Sequence, residues 1–256
     1  MMENWYWLAP AFFLIATLYS SVGFGGGSSY LALLALFATD IPLVRSTALL
    51  CNLVVVSNSV YWYWRERHVN FRRFLPFVLV SVPLAYLGAS FRLSEQTFYV
   101  VLGTVLIASA LLLAAQSVNA NRPDELRHYP RPLPWLLGGG IGLLSGLVSI
   151  GGGIFLSPVL NHLRWETPLR IAALASFFIL VNSLAGLAGL ATSGHLSVSP
   201  IPTFVLLGSV ALGGQIGIRL SLRKFSGQRI RQVTALLVMI VGVRVLLVNG
   251  LQIDWL

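Results

Sequence analysis

Hydrophobic positions along this chain come in long unbroken blocks rather than at the spacing of one helix face or one strand face. Ser46–Trp64, Phe74–Phe91, Thr97–Ala115, Ile171–Leu190, Ile201–Leu220 and Ile230–Leu247 each run 18–20 residues and hold no Asp or Glu. That is the length of helix that crosses a hydrocarbon core of about 30 Å. Two more apolar regions, Trp5–Ala38 and Pro134–Leu163, are too long for one simple crossing, and each is interrupted by Gly-Gly-Gly. The pattern predicts an all-α polytopic membrane protein whose apolar surroundings are supplied by the lipid bilayer. Composition agrees: 56% of the 256 residues are hydrophobic and 10% are charged, against roughly 25% charged in soluble domains.

The two glycine triplets belong to an internal repeat. Gly25-Gly26-Gly27 recurs as Gly151-Gly152-Gly153, each with serines shortly before it. Pro42-Leu43 followed by Arg45 matches Pro168-Leu169 followed by Arg170, and Ser57-Asn58-Ser59 matches Val181-Asn182-Ser183. Phe77-Val78-Leu79 leading to Arg92-Leu93-Ser94 matches Phe204-Val205-Leu206 leading to Arg219-Leu220-Ser221. The same order at a nearly constant offset marks a duplication. Residues 1–116 form the first membrane repeat, 132–256 the second, and the polar segment 117–131 a solvated connection.

Charge placement then decides how the glycine regions sit. If every apolar region crosses once, the 17 Lys and Arg divide nine to eight between the two sides. If each glycine region is a hairpin returning to its own side, 14 fall on one side and only Arg45, Arg92 and Arg244 on the other. A strong bias is what the positive-inside rule expects. Each half becomes one glycine-tipped re-entrant hairpin plus three transmembrane helices, and the odd number of crossings inverts the second half. Both termini are then expected on the non-cytoplasmic side. Two full crossings joined at each triplet give the same split, but the arms Ser28–Ala38 and Ile154–Leu163 are short for that. The formal net charge of +9 therefore reads as topology, not as nucleic-acid binding. The N-terminus lacks the basic region of a signal peptide and is expected to be retained.

Inverted repeats with interrupted helices are a transporter architecture that binds its cargo near the midplane. A break strands backbone N–H groups, which lipid does not satisfy, and the half-helix after it offers an N-terminus that favours anions. Gly25, Gly26, Gly27, Ser28 and Ser29, with Gly151, Gly152 and Gly153, are the candidate cradle for a small anionic substrate. The competing reading is that the glycines only let helices pack closely. Asn52, Asn58, Ser176, Asn182 and Gln215 are polar residues within apolar segments; they supply substrate contacts or hydrogen bonds between helices. Arg45 and Arg170 are placed to attract anions at the two entrances. Cys51 stands alone and the four His residues are scattered, so neither a metal nor a cofactor is expected. No Asp or Glu within a span offers a proton relay.

Gly23-Phe24-Gly25-Gly26-Gly27, and Ser149-Ile150-Gly151-Gly152-Gly153 followed by Ser157-Pro158, resemble the tips of the TauE/SafE sulfite exporter family, also called the toluene sulfonate uptake permeases. The duplicated length and the spans holding Asn58 and Asn182 add to the resemblance, which covers nearly the whole chain. Ala32 stands where the second repeat has Pro158, so the tips need not be equivalent. The resemblance implies a multi-pass protein of the bacterial inner membrane that transports sulfur oxyanions or organosulfonates, often outward. The residues alone reach a small anion. An anion channel with the tips lining a continuous pore is the alternative, and homo-oligomerisation is left open. With no His, Asp, Glu or Lys in a span to activate a serine, an intramembrane enzyme is not expected.

Overall fold

The computed structural model describes residues 5–35, 37, 40–118, 129–222 and 227–252. Residues 119–128 of the connecting segment, 223–226 and both chain ends lie outside the described residues, and with them the expectations for that loop and for the termini. The described residues are helical and contain no strand. A short 3-10 turn, Trp5–Leu8, leads into α1 (Ala9–Ser21), α2 (Gly27–Ala35), α3 (Ile41–Arg65), α4 (Phe71–Ser90) and α5 (Glu95–Val118). The second half repeats the series as α6 (Leu133–Val148), α7 (Gly153–Leu163), α8 (Pro168–Thr192), α9 (Pro200–Leu222) and α10 (Gly227–Arg244), with a π-helical turn at Val245–Gly250.

Six helices (α3, α4, α5, α8, α9 and α10 with its π turn) are long and apolar enough to span a bilayer. They are the blocks read from sequence, extended by a few residues at their starts. Pro42 and Pro168 explain the extension at α3 and α8: each occupies the first turn of its helix, where a missing N–H costs nothing and φ is already set. Arg45 and Arg170 thereby become helical residues rather than loop residues. The four arms α1, α2, α6 and α7 have 13, 9, 16 and 11 residues, or about 14–24 Å at 1.5 Å per residue. Each is shorter than the run of about 20 residues that spans a hydrocarbon core.

Each pair of arms folds back on itself. The ring of Trp7, before α1, lies 4.7 Å from Phe37, past the end of α2, and Phe12 stacks on Tyr30 at the same separation. In the second half Tyr129, before α6, donates through its hydroxyl to the Leu163 carbonyl at the end of α7 (2.7 Å).

Packing interlocks the halves. α1 packs on α9 and α6 on α4; α3 packs on α8 and α5 on α10; α3 on α9 mirrors α4 on α8. Exchanging the halves maps this pattern onto itself. The two arm contacts are the closest and rest on small residues. Gly138, Gly142 and Gly146 recur every four residues along α6, and a Cβ on any of them would overlap the backbone of Phe77, Ser81 or Ala85 of α4. Gly213 and Gly217 of α9 do the same against the carbonyls of Phe13 and Thr17 of α1. Helices in lipid associate through such close van der Waals approach because there is no water to exclude.

Replacing Gly146 with Leu is therefore expected to wedge α6 away from α4 and lower stability by about 1–3 kcal/mol or more. Gly140→Leu is the control, since nothing lies within 4 Å of a Cβ there. Thermal unfolding in detergent separates them; equal melting temperatures would refute the close packing.

Candidate functional site

The two glycine triplets are helix breaks, and the breaks are tied to each other. After α1 the chain crosses Val22–Gly26 without helical structure, and Gly26 turns it at φ +87°, a conformation open to glycine. The first amide of α2, Gly27 N–H, donates to Oδ1 of Asn52 on α3 (2.8 Å). The same side chain donates through Nδ2 to the Ile150 carbonyl in the second break (2.9 Å). Asn52 thus satisfies an orphan donor of one break and a carbonyl of the other. Gly25 and Gly27 are glycines because a Cβ on either would overlap the Asn52 amide. The reverse tie is made by Ser176 on α8, whose hydroxyl donates to the Gly23 carbonyl (3.0 Å). Each half's first crossing helix holds the other half's break.

The hydroxyls predicted at the first tip are also engaged. Ser29 and Tyr19 share a hydrogen bond of 2.6 Å, and Ser28 donates to the Tyr19 oxygen (3.4 Å). All of Gly25, Gly26, Gly27, Ser28, Ser29, Gly151, Gly152 and Gly153 are buried. Asn182 is 1% exposed and neither end of its amide has a partner. Asn58 is half-buried, and Gln215 accepts from Trp62 Nε1 (3.4 Å). Among the described residues neither bonds to a tip, so the structure does not bring these two together with the glycines.

Arg45 is where the structure departs most from an entrance residue. It is 5% exposed. Its Nε donates to Ser149 Oγ (2.7 Å), and Nη2 donates to the carbonyls of Gly146 (3.1 Å) and Ala89 (3.2 Å). Ser149 closes α6 in the left-handed region, at φ 56°, a conformation that stores strain in a residue other than glycine. Among the described residues no carboxylate pairs with Arg45; the Phe98 ring lies 5.8 Å from its guanidinium carbon. The residue also lines a cavity of ≈ 390 Å³ with Asp40, Arg92, Ser94, Glu95 and His195. One guanidinium connects that cavity to the second break.

Its repeat counterpart behaves differently. Arg170 pairs with Glu166 (3.3 Å), which also binds Arg73 of α4. Glu166 is buried while both arginines are about half exposed, so Arg170 is held at the rim by a carboxylate. Among the described residues no group of His, Cys, Asp or Glu is arranged to hold a metal.

Comparison with known proteins follows the same outline. The model of the family described as "Sulfite exporter TauE/SafE" matches residues 8–245. The chain is 33% identical over 241 residues to the probable membrane transporter protein y4hK of Sinorhizobium fredii, covering 93% of this chain and 97% of that one. It is 25% identical to the probable membrane transporter protein YjnA of Bacillus subtilis, over 91% of this chain and 96% of the relative. A probable membrane transporter protein of Methanocaldococcus jannaschii is 23% identical, over 92% of each chain. No solved structure matches.

Asn52→Ala leaves the Gly27 N–H and the Ile150 carbonyl buried without a partner, at about 1–3 kcal/mol each. Asn52→Asp keeps the acceptor for Gly27 but sets a carboxylate oxygen against the Ile150 carbonyl at a fully buried position. Both variants are expected to melt below the wild type in detergent; an unshifted Ala variant would remove Asn52 as the tie.

Proposed function

This chain belongs to the sulfite exporter TauE/SafE family and is a membrane transporter of that type; on that premise we propose that it moves small sulfur-containing anions, such as sulfite or an organosulfonate, outward by alternating access. The observation that carries this reading is Arg45: a buried guanidinium that forms no ion pair among the described residues, bonded to the second break and lining a cavity. An intramembrane cation held by carbonyls and a hydroxyl keeps its charge available. The half-helix that starts at Gly153 adds the positive end of its dipole at the same point.

The halves are inverted repeats, and each pair of arms is a re-entrant hairpin whose tip lies near the midplane. The contacts of Trp7 with Phe37 and of Tyr129 with Leu163 support hairpins. Inversion is supported by which loops converge. Asp40, Arg92–Glu95 and His195 meet around the Arg45 cavity, whereas Asn70, Arg73, Glu166 and Arg170 meet around the other cluster. The loop after α2 therefore joins one group and its repeat counterpart, the loop after α7, joins the other.

The unequal treatment of Arg45 and Arg170 is what one state of an alternating carrier requires. The cation of one half sits in at the tips while that of the other is held out by Glu166. With the described acidic residues at loops and helix starts rather than mid-span, a proton would travel on the anion itself.

Purified protein in proteoliposomes should take up sulfite, thiosulfate or a sulfonate with saturation and counterflow. Saturable flux without counterflow would argue for a channel, and flux of none of them would reject the substrate class. Arg45→Gln should cut transport about tenfold or more, since it removes a charge-assisted donor. Arg170→Gln, losing a half-exposed pair, should stay within about threefold. Topology has a separate check: cysteines placed at Ser197 and at Arg67 should label from opposite faces of the membrane, and labelling from one face would eliminate the inversion.

A further inference from the structure

Ser20 and Ser145 precede the two triplets by five and six residues, and Ser59 and Ser183 end the two matching Asn segments, yet the two pairs are not in the same condition. In the first half the Ser20 and Ser59 hydroxyl oxygens lie 3.1 Å apart, with the Gly214 carbonyl 3.0 Å from Ser20 and the Val55 carbonyl 3.1 Å from Ser59, so each of the two protons has an acceptor. The first half-helix amide, Gly27 N–H, is taken by Asn52. These hydroxyls and the first helix amide of the first break are thus taken up by protein partners.

In the second half Ser145 and Ser183 are 2% and 0% exposed, and neither hydroxyl has a partner. Both face the glycines. Ser183 Oγ would stand 3.0 Å from a Cβ on Gly151, and the Ser145 Cβ 3.1 Å from one on Gly152. Phe178 packs on Gly152, and Ile179 on Gly151 and Gly153; Asn182 lies one turn along the same face of α8 with both amide ends unpartnered. Gly152 enters α7 at φ +80° with no side chain capping it; its carbonyl takes the Phe155 and Leu156 amides (3.1 and 3.2 Å), which leaves the Gly153 and Ile154 amides as the open donors of that 11-residue helix. Buried polar groups are nearly always paired, and several unpaired ones around a single helix N-terminus are costly unless something negatively charged is to sit among them.

We propose that the anion's oxygens are seated at the second break alone, by the first amides of α7, the hydroxyls of Ser145 and Ser183 and the Asn182 amide, with Arg45 behind Ser149, and that the first break serves as a tie. The ligand class is a compact sulfur oxyanion with several oxygens on one centre. This rests on the reading of the chain as an anion transporter and narrows it. The first break keeps one unpartnered group, the Tyr30 hydroxyl, folded over its own Gly26, which makes Tyr30→Phe a control.

The test uses the full chain in proteoliposomes with sulfite and thiosulfate as probes, and thermal unfolding in detergent beside it. Ser183→Ala and Ser145→Ala should each raise KM about tenfold or more, as expected for losing a bond to a charged group. Their melting temperatures should hold or rise, because the hydroxyls removed had no partner. Ser59→Ala should do the reverse, melting lower with KM within about twofold, and Tyr30→Phe should leave KM within about twofold. Unchanged KM in the second-half variants overturns the seat, as does an equal rise in Ser59→Ala or Tyr30→Phe. A lower melting temperature for both Ser183→Ala and Ser145→Ala makes the hydroxyls structural and overturns it too. Failure of the unmodified chain to move either probe overturns the sulfur-oxyanion reading of the substrate, and the seat with it.

Discussion

Two helices broken inside an apolar bundle leave peptide groups that lipid cannot satisfy, and the rest of this structure is arranged around that constraint. The protein answers it mostly from the opposite half. Asn52 gives its oxygen to the amide of Gly27 and its nitrogen to the carbonyl of Ile150, while Ser176 reaches the Gly23 carbonyl. Because each break is completed by a helix of the other repeat, neither half could present its tip correctly alone. The reciprocal packing of α1 on α9 and α6 on α4 extends the same dependence along the whole bundle.

The glycines divide into two groups by what they touch. Those of α6 and α9 lie against neighbouring backbone, where any side chain would push two helices apart. Those of the triplets lie against the polar amide of Asn52, against Tyr30, or beside Ser145, Ser183 and Ile179. Close helix packing and a polar break are thus both present, at different glycines, and the alternative between them dissolves once each neighbour is named. The stripe Gly138, Gly142, Gly146 was visible as a spacing of four in a single apolar helix, the signal by which its packing role was open to reading.

Arg45 shows why two residues aligned by a duplication need not share a role. Each follows a matching proline, by three residues for Arg45 and by two for Arg170, and both sit in the first turns of a long apolar helix. Burial separates them. Arg170 meets Glu166 before it can turn inward; Arg45 has no such partner and closes on three oxygens at Gly146, Ser149 and Ala89 instead. A cation buried among carbonyls keeps a net charge in its surroundings, whereas one paired with a carboxylate does not.

The membrane class, the six long apolar helices and the two glycine breaks were all legible in the chain, because hydrocarbon imposes a length on apolar segments and a break needs residues without side chains. Asn52 and Asn182 could be singled out as polar residues in apolar helices, but their different fates could not: one is fully bonded across the interface, the other bonded to nothing in the described protein. Nor could spacing reveal that Arg45 turns inward, or that Ser145 and Ser183 stand free where Ser20 and Ser59 are paired. Those differences depend on which side chain of one repeat meets which backbone atom of the other. The two halves share the order of their motifs as strings, and their packing against each other gives the matching positions different surroundings.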